Sequence, residues 1–237
     1  MKINVMTFNT QHCKNFLSDQ IDYDSICNLI QKYKADIIGL NEIYGKRFDR
    51  NIKASQAEEI ASRLGYYCYF GKATYLNFKA YGNALISKYP IISARVIKVP
   101  FGIIRLGNRY YERRSIIEAI ISINNKQIKV YVCHFGLNDD EQNNAVNALI
   151  ANIKADDSFI IMGDFNTFPE NIILKDIKNI TKDTSDYYDG PKLSWPSNKP
   201  KVKYDYILTS KNIKTIKSTI ASDIVSDHLA IVSQIEL

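Results

Sequence analysis

The stretch Ser158-Phe159-Ile160-Ile161-Met162-Gly163-Asp164-Phe165-Asn166 decides how the rest of the chain is read. Ser158–Met162 is a short apolar run, the pattern of a strand buried on both faces. A glycine, a carboxylate and an amide follow at once. Polar groups placed where a strand stops are held at the lip of a rigid element, which is where open α/β folds bind ligands.

The same arrangement recurs on either side of this stretch. Thr7-Phe8-Asn9 ends an alternating strand over Ile3–Phe8, and Leu40-Asn41-Glu42 ends an apolar run over Asp36–Leu40. His134-Phe135-Gly136-Leu137-Asn138 follows a strand over Lys129–Cys133, and Tyr204-Asp205-Tyr206 opens one over Tyr204–Thr209. Ser226-Asp227-His228 precedes another over Leu229–Ile235. Tyr66–Phe70, Asn83–Ser87, Ile91–Val99, Ser115–Ile123 and Thr215–Ala221 read as further strands, punctuated by Pro90 and an Asn124-Asn125 turn. Helical spacing marks Asp24–Tyr33 and Ala54–Leu64, the latter stopped by Gly65. Asp139–Ile153 is a third helix, with Asn138 or Asp139 as its cap. Many strands and few helices predict an α/β (α+β) domain over residues 1–237, a two-sheet core flanked by helices.

Bulk composition narrows the classes. The 237 residues are 46% hydrophobic, enough for a large core. Cys13, Cys27, Cys68 and Cys133 are scattered, which indicates neither a zinc site nor a disulfide framework. The first residues read as a strand rather than a secretory signal, and no apolar run approaches the roughly 20 residues of a transmembrane segment. A cytoplasmic protein with reduced thiols is expected; the oligomeric state stays open. The net charge of +6 is spread along the chain and points only weakly to nucleic acid or another polyanion.

Taken together, the motif residues have the chemistry of a hydrolytic site for a phosphoester substrate. Mg2+ takes oxygen ligands and only one or two protein carboxylates, a role that suits Glu42 and Asp227; oxygen-rich sites also accept Mn2+. Asp164 is a candidate base for a water nucleophile. Asn9, Asn166 and a protonated histidine can donate to developing phosphate charge. A buried carboxylate keeps such a histidine charged and oriented, which either His228 with Asp205 or His134 with Asp205 would satisfy. His12 reads as a solvated loop residue. Arg105, Arg109, Arg113 and Arg114 fall close together and read equally as phosphate forks or as a solvated edge.

The order Phe-Asn, Asn-Glu, His-Phe-Gly, Gly-Asp-Phe-Asn, Tyr-Asp-Tyr-Ile, Ser-Asp-His, running from Thr7 to His228, resembles the endonuclease/exonuclease/phosphatase superfamily with its DNase I-like fold. The resemblance implies a four-layer α/β/β/α sandwich of two packed mixed sheets. It implies that Glu42 binds the metal with Asn9 beside it, and that Asp227 is a metal-side carboxylate. Asp164 would activate the nucleophile, and Asn166 would contact the scissile phosphate or help hold a second metal. His228 would donate to the phosphate, and His134 would be a second phosphate-contacting histidine, oriented by Asp205. Two branches follow: a Mg2+-dependent phosphodiesterase on small or lipid-derived substrates, or a nuclease. A non-catalytic binding module is a remote third. Gln11 stands where nucleic-acid branches often carry an acidic residue, which removes one possible carboxylate.

Overall fold

The computed structural model describes residues 1–47, 54–102, 104–154 and 157–237. Among these, twelve strands form two six-stranded sheets. The first has the order β11 (Lys214–Ile220), β12 (Ile231–Glu236), β1 (Lys2–Asn9), β2 (Ile37–Arg47), β4 (Lys79–Ser87), β3 (Tyr67–Leu76). The second has the order β5 (Ile91–Lys98), β6 (Ser115–Ile123), β7 (Lys126–His134), β8 (Phe159–Asp164), β10 (Asp205–Ser210), β9 (Thr181–Asp183). β1 runs parallel to β2, and β7 parallel to β8, while the other pairs are antiparallel, so both sheets are mixed.

Strand alternation explains the layering. Successive side chains leave a strand on opposite faces. Ile3 and Val5 of β1 therefore join Val130 and Val132 of β7 and Ile160 and Met162 of β8 in the core between the sheets. Met6 and Phe8 point the other way, onto α1 (Tyr23–Lys32) and α2 (Gln56–Leu64). Tyr131 and Cys133 of β7 and Phe159 and Ile161 of β8 face α3 (Asp139–Ile150) and α4 (Lys175–Ile180). The result is the four-layer α/β/β/α sandwich. Each fully buried isoleucine in the central layer contributes about 1.5–3 kcal/mol.

Several expected boundaries move. β2 continues through Arg47 instead of ending at Leu40, because Ile43 is again fully buried. Its pairing with β4 shifts register between Leu40 and Ile43, and Glu42 takes a left-handed φ of 60° in that bulge. β3 and β4 are longer than expected because Asn77 and Phe78, at φ 50° and 61°, close a tight hairpin that lacks the usual Asn-Gly signal. The Asn124-Asn125 turn does join β6 to β7, with φ 47° and 65°. α3 ends at Ile150, three residues early. The sequence announces neither α4 nor β9, each too short for a periodic pattern.

One polar clamp ties the sheets together at their functional edge. Asn41 is fully buried; its Nδ2 donates to Asn83 Oδ1 (2.9 Å) and to the Cys133 carbonyl (2.8 Å). Its Oδ1 accepts from the Asp164 N–H at 3.0 Å. Asn83 continues the chain to the Ser115 carbonyl at 2.9 Å. Replacing Asn41 with Ala strands three buried polar groups. The expected loss is about 3 kcal/mol, a fall in Tm of roughly 6–12 °C by thermal unfolding. A variant as stable as wild type would refute this role.

Candidate active site

Backbone register assembles the site. Asn9 pairs with Asn41 across β1 and β2, His134 with Asp164 across β7 and β8, and Asp205 with Asp164 across β8 and β10. The residues just after three of these form an aromatic stack beneath them. Phe135 lies on Phe165 (centroids 4.4 Å, 16°), and Phe165 on Tyr206 (4.7 Å, 23°). All three rings are buried, so the stack holds three polar neighbours at a common level. Gly163 has φ 144°, and a Cβ there would sit 1.8 Å from the Cys133 carbonyl oxygen. Only glycine lets β8 approach β7 this closely just before Asp164.

Asp164 is the centre of the cluster and is fully buried. Asn9 Nδ2 donates to its Oδ2 at 3.0 Å and also reaches Glu42 Oε1 at 3.2 Å. His134 Nε2 and His228 Nε2 lie 3.6 and 3.7 Å from the same Oδ2. The Asn166 N–H donates to Asp164 Oδ1 at 2.8 Å, and Asn166 Nδ2 to the Phe135 carbonyl at 3.1 Å. Asp227 lies at the rim, its Oδ1 accepting from Ser226 Oγ (3.1 Å) and its Oδ2 from Trp195 Nε1 (3.4 Å).

The pairing of Asp205 is settled by geometry. His228 Nδ1 donates to Asp205 Oδ2 at 2.8 Å, both side chains buried. The expected pairing of His134 with Asp205 is therefore corrected: His134 Nδ1 lies 3.0 Å from Arg114 Nη1 instead. Two histidines three or four ångströms from one carboxylate thus sit in opposite fields. Burial alone would lower His228, but Asp205 and Asp164 outweigh it and hold the imidazolium up to about 10. Burial, with Arg114 and His228 adding to it, drives His134 well below 6.5, so it is neutral. Burial pushes Asp164 up to about 7; His228 opposes that rise and Asp205 adds to it.

Two further residues come into the site: His12, which the sequence reads as solvated, and Arg114, one of four arginines that read equally as phosphate forks or a solvated edge. His12 is only partly exposed. It stacks on Tyr44 (4.5 Å, 19°), and its Nε2 lies 3.7 Å from Glu42 Oε2. Gln11, His12 and Cys13 are all left-handed, at φ 46°, 61° and 60°, and this turn folds His12 back over Glu42. No spacing rule anticipates such a turn. Arg114 is nearly buried, whereas Arg105, Arg109 and Arg113 are exposed, so only one of the four arginines enters the cluster.

The motif order and the assembled residues coincide with one match that spans both. The endonuclease/exonuclease/phosphatase family profile fits residues 6–228. The chain belongs to the endonuclease/exonuclease/phosphatase family. Members of this family usually hydrolyse phosphoesters and typically use a divalent metal. Similar folds occur in a family protein from Leptotrichia buccalis C-1013-b, with 22% identity and a TM-score of 0.79, covering 99% of this chain and 100% of that one. The mannosyl-6-phosphatase of Bacteroides thetaiotaomicron VPI-5482 has 14% identity and a TM-score of 0.79, covering 99% and 100%. The human Nocturnin catalytic domain, solved with bound sulfate, has 18% identity and a TM-score of 0.74, covering 99% and 93%. No curated protein matches the sequence.

The donor set of this family member fits a hard cation on the Glu42 side. Glu42 and Asp164 present carboxylate oxygens bridged by the Asn9 amide, and the Glu42 and Asp227 charges both act on His12. Asn9 turns its nitrogen, not its oxygen, toward the carboxylates, so coordination through Oδ1 requires the amide to rotate half a turn. Asp164, Asp205 and His228 also bring donor atoms within 4.8 Å of one another. That trio is a poor metal site, because Asp205 Oδ2 is bonded to His228 Nδ1 and an imidazolium has no free lone pair. Among the described residues no helix is long and apolar enough to cross a membrane.

The charge on His228 depends on Asp205. In Asp205→Asn the His228 ring should titrate well below the wild-type value, followed by NMR of the ring C–H protons against pH. An unchanged midpoint would mean that Asp205 does not supply the stabilising field.

Proposed function

We propose that this chain is a Mg2+-dependent phosphoesterase, Mn2+ substituting, that hydrolyses a phosphodiester of a small-molecule or lipid-derived compound. The observation that carries the reading is the buried Asp164 carboxylate ringed by Asn9, His134 and the charged His228. Glu42, with Asn9 and Asp227 nearby, would hold the cation, which supplies charge neutralisation at the phosphate. Asp164, raised toward neutrality, accepts a proton from an attacking water. His228, kept charged by Asp205, donates to the phosphate oxygens, and Asn166 lies beside Asp164 to contact the same group.

The surroundings favour a compact substrate. Two separate cavities flank the cluster. One of about 460 Å³ adjoins Asn166 and Tyr204, and one of about 470 Å³ adjoins His12 and Tyr44. Each has the volume of a small-ligand pocket. The similarity to a protein named as a mannosyl-6-phosphatase supports the same direction. The nuclease reading has one specific support: Phe168, Tyr204 and Trp195 form an aromatic row leading to His228, and such rows stack nucleobases. The protein is expected to act in the cytoplasm.

A substrate panel tests both readings: bis-p-nitrophenyl phosphate, p-nitrophenyl phosphate, sphingomyelin, short RNA, plasmid DNA and abasic duplex, each with Mg2+, Mn2+ or EDTA. Cleavage of a small diester, abolished by EDTA, is expected. Preference for the polymers, with steep salt dependence, would install the nuclease instead. Asp164→Asn should lower kcat by about 10²–10⁴-fold while the fold persists. Turnover near wild type would remove Asp164 as the base. Glu42→Gln should raise the Mg2+ concentration needed for half-maximal rate, and an unchanged requirement would place the cation elsewhere.

A further inference from the structure

Arg114 sits behind His134, on the side away from Asp164. Its side chain is 10% exposed, and its guanidinium is paired with Glu112, whose Oε1 lies 2.7 Å from Nη1. Tyr81, also buried, lies against the same guanidinium. Nη1 lies 3.0 Å from His134 Nδ1. A guanidinium has only N–H donors and no lone pair to offer. The contact is therefore compatible with one state of the ring: Nδ1 accepts, and the proton sits on Nε2. That Nε2 is the atom facing Asp164 at 3.6 Å.

We propose that Arg114 is a positioning residue that locks His134 as the neutral Nε2–H tautomer, making it an uncharged hydrogen-bond donor opposite the charged donor His228. His228 reaches the same Asp164 oxygen with its own Nε2, but its Nδ1 is bonded to a carboxylate, which favours a second proton. The partner on the far nitrogen thus sets the character of each ring: a carboxylate behind one, a guanidinium behind the other. Among the charged groups facing His134, the Asp164 carboxylate favours a positive charge. Arg114, His228 and His12 all oppose that charge, and burial acts in the same direction. Asn83, which is close in the fold, offers no alternative partner, since its amide is committed to Asn41 and to the Ser115 carbonyl. One charged and one neutral donor stabilise negative charge on a phosphate without placing two imidazolium rings around a buried acid. This catalytic consequence rests on the phosphoesterase reading; the tautomer does not.

The test begins without substrate or metal. Long-range proton–nitrogen NMR of the uniformly 15N-labelled protein at neutral pH resolves the ring nitrogens of its three histidines, and His134 is assigned by the signal lost in His134→Gln. The expected pattern is a pyridine-type Nδ1 and a pyrrole-type Nε2 for His134, beside two pyrrole-type nitrogens for His228. Two pyrrole-type nitrogens on His134, or a pyrrole-type Nδ1, would overturn the proposal whatever the enzyme does. Arg114→Met, paired with Glu112→Gln so that no carboxylate is left buried and unpaired, should replace the single tautomer with an exchange-averaged pattern. On bis-p-nitrophenyl phosphate with Mg2+, the same double variant should lower kcat by about 10–100-fold with little change in KM. Adding His134→Gln to it should cost nothing further, since both changes remove one device. A raised KM with additive losses would show instead that Arg114 contacts the substrate itself. If the wild-type tautomer is as expected but no member of the panel is cleaved, the positioning assignment stands and the functional reading fails.

Discussion

The Asn41 amide is the interaction on which the rest depends. It is buried between two sheets, and both of its N–H donors and its oxygen are engaged: a carbonyl on β7, an amide on β4 and the backbone N–H of Asp164. Sheet-on-sheet packing through isoleucine and valine is strong but slides easily, because apolar contact has no direction. A buried amide has direction, and leaving it unpaired is costly. The clamp therefore fixes the relative height of the sheets at the edge where Asn9, Glu42, His134 and Asp164 meet. It also holds the backbone of the residue that carries the central carboxylate.

Around that fixed edge the chain concentrates charge where burial makes charge expensive. Asp164 and Asp205 lie within reach of one imidazolium, so their two negative charges are partly balanced by His228. Arg114 is balanced by Glu112. The pairs are crossed, and the two histidines take different characters from the groups behind them rather than from the carboxylate in front. This follows from the low dielectric of a site whose floor is the stacked Phe135, Phe165 and Tyr206. The strained turn over Gln11–Cys13 and the left-handed Glu42 lie on the opposite wall, where backbone strain sets the approach of His12 to Glu42.

Much of this was legible from residues in a row. The strands that became β1, β7 and β8 were readable because alternating or continuous apolar runs stop at polar motifs, and the motif order by itself indicated the family and its sandwich. The hairpin β3–β4, the bulge at Glu42 and the short α4 were not legible, because they rest on left-handed backbone at non-glycine residues or on elements shorter than one period. The place of His12 is not legible either, because its approach to Glu42 depends on three consecutive φ values that no residue type announces.

Sequence by itself determined which polar side chains stand at strand ends, and hence the pool from which a site is built, since hydrophobic periodicity is local and survives being read along a line. Only the tertiary structure decided who partners whom. Asp205 lies 23 residues from His228 and 71 from His134, and neither separation says which ring it touches. That choice comes from β10 lying antiparallel to β8, which carries Asp205 toward His228, and from Arg114 entering from the end of the β5–β6 connection to take the far face of His134. Charge and tautomer are set by through-space fields at three to four ångströms, and those distances exist only once the two sheets are packed.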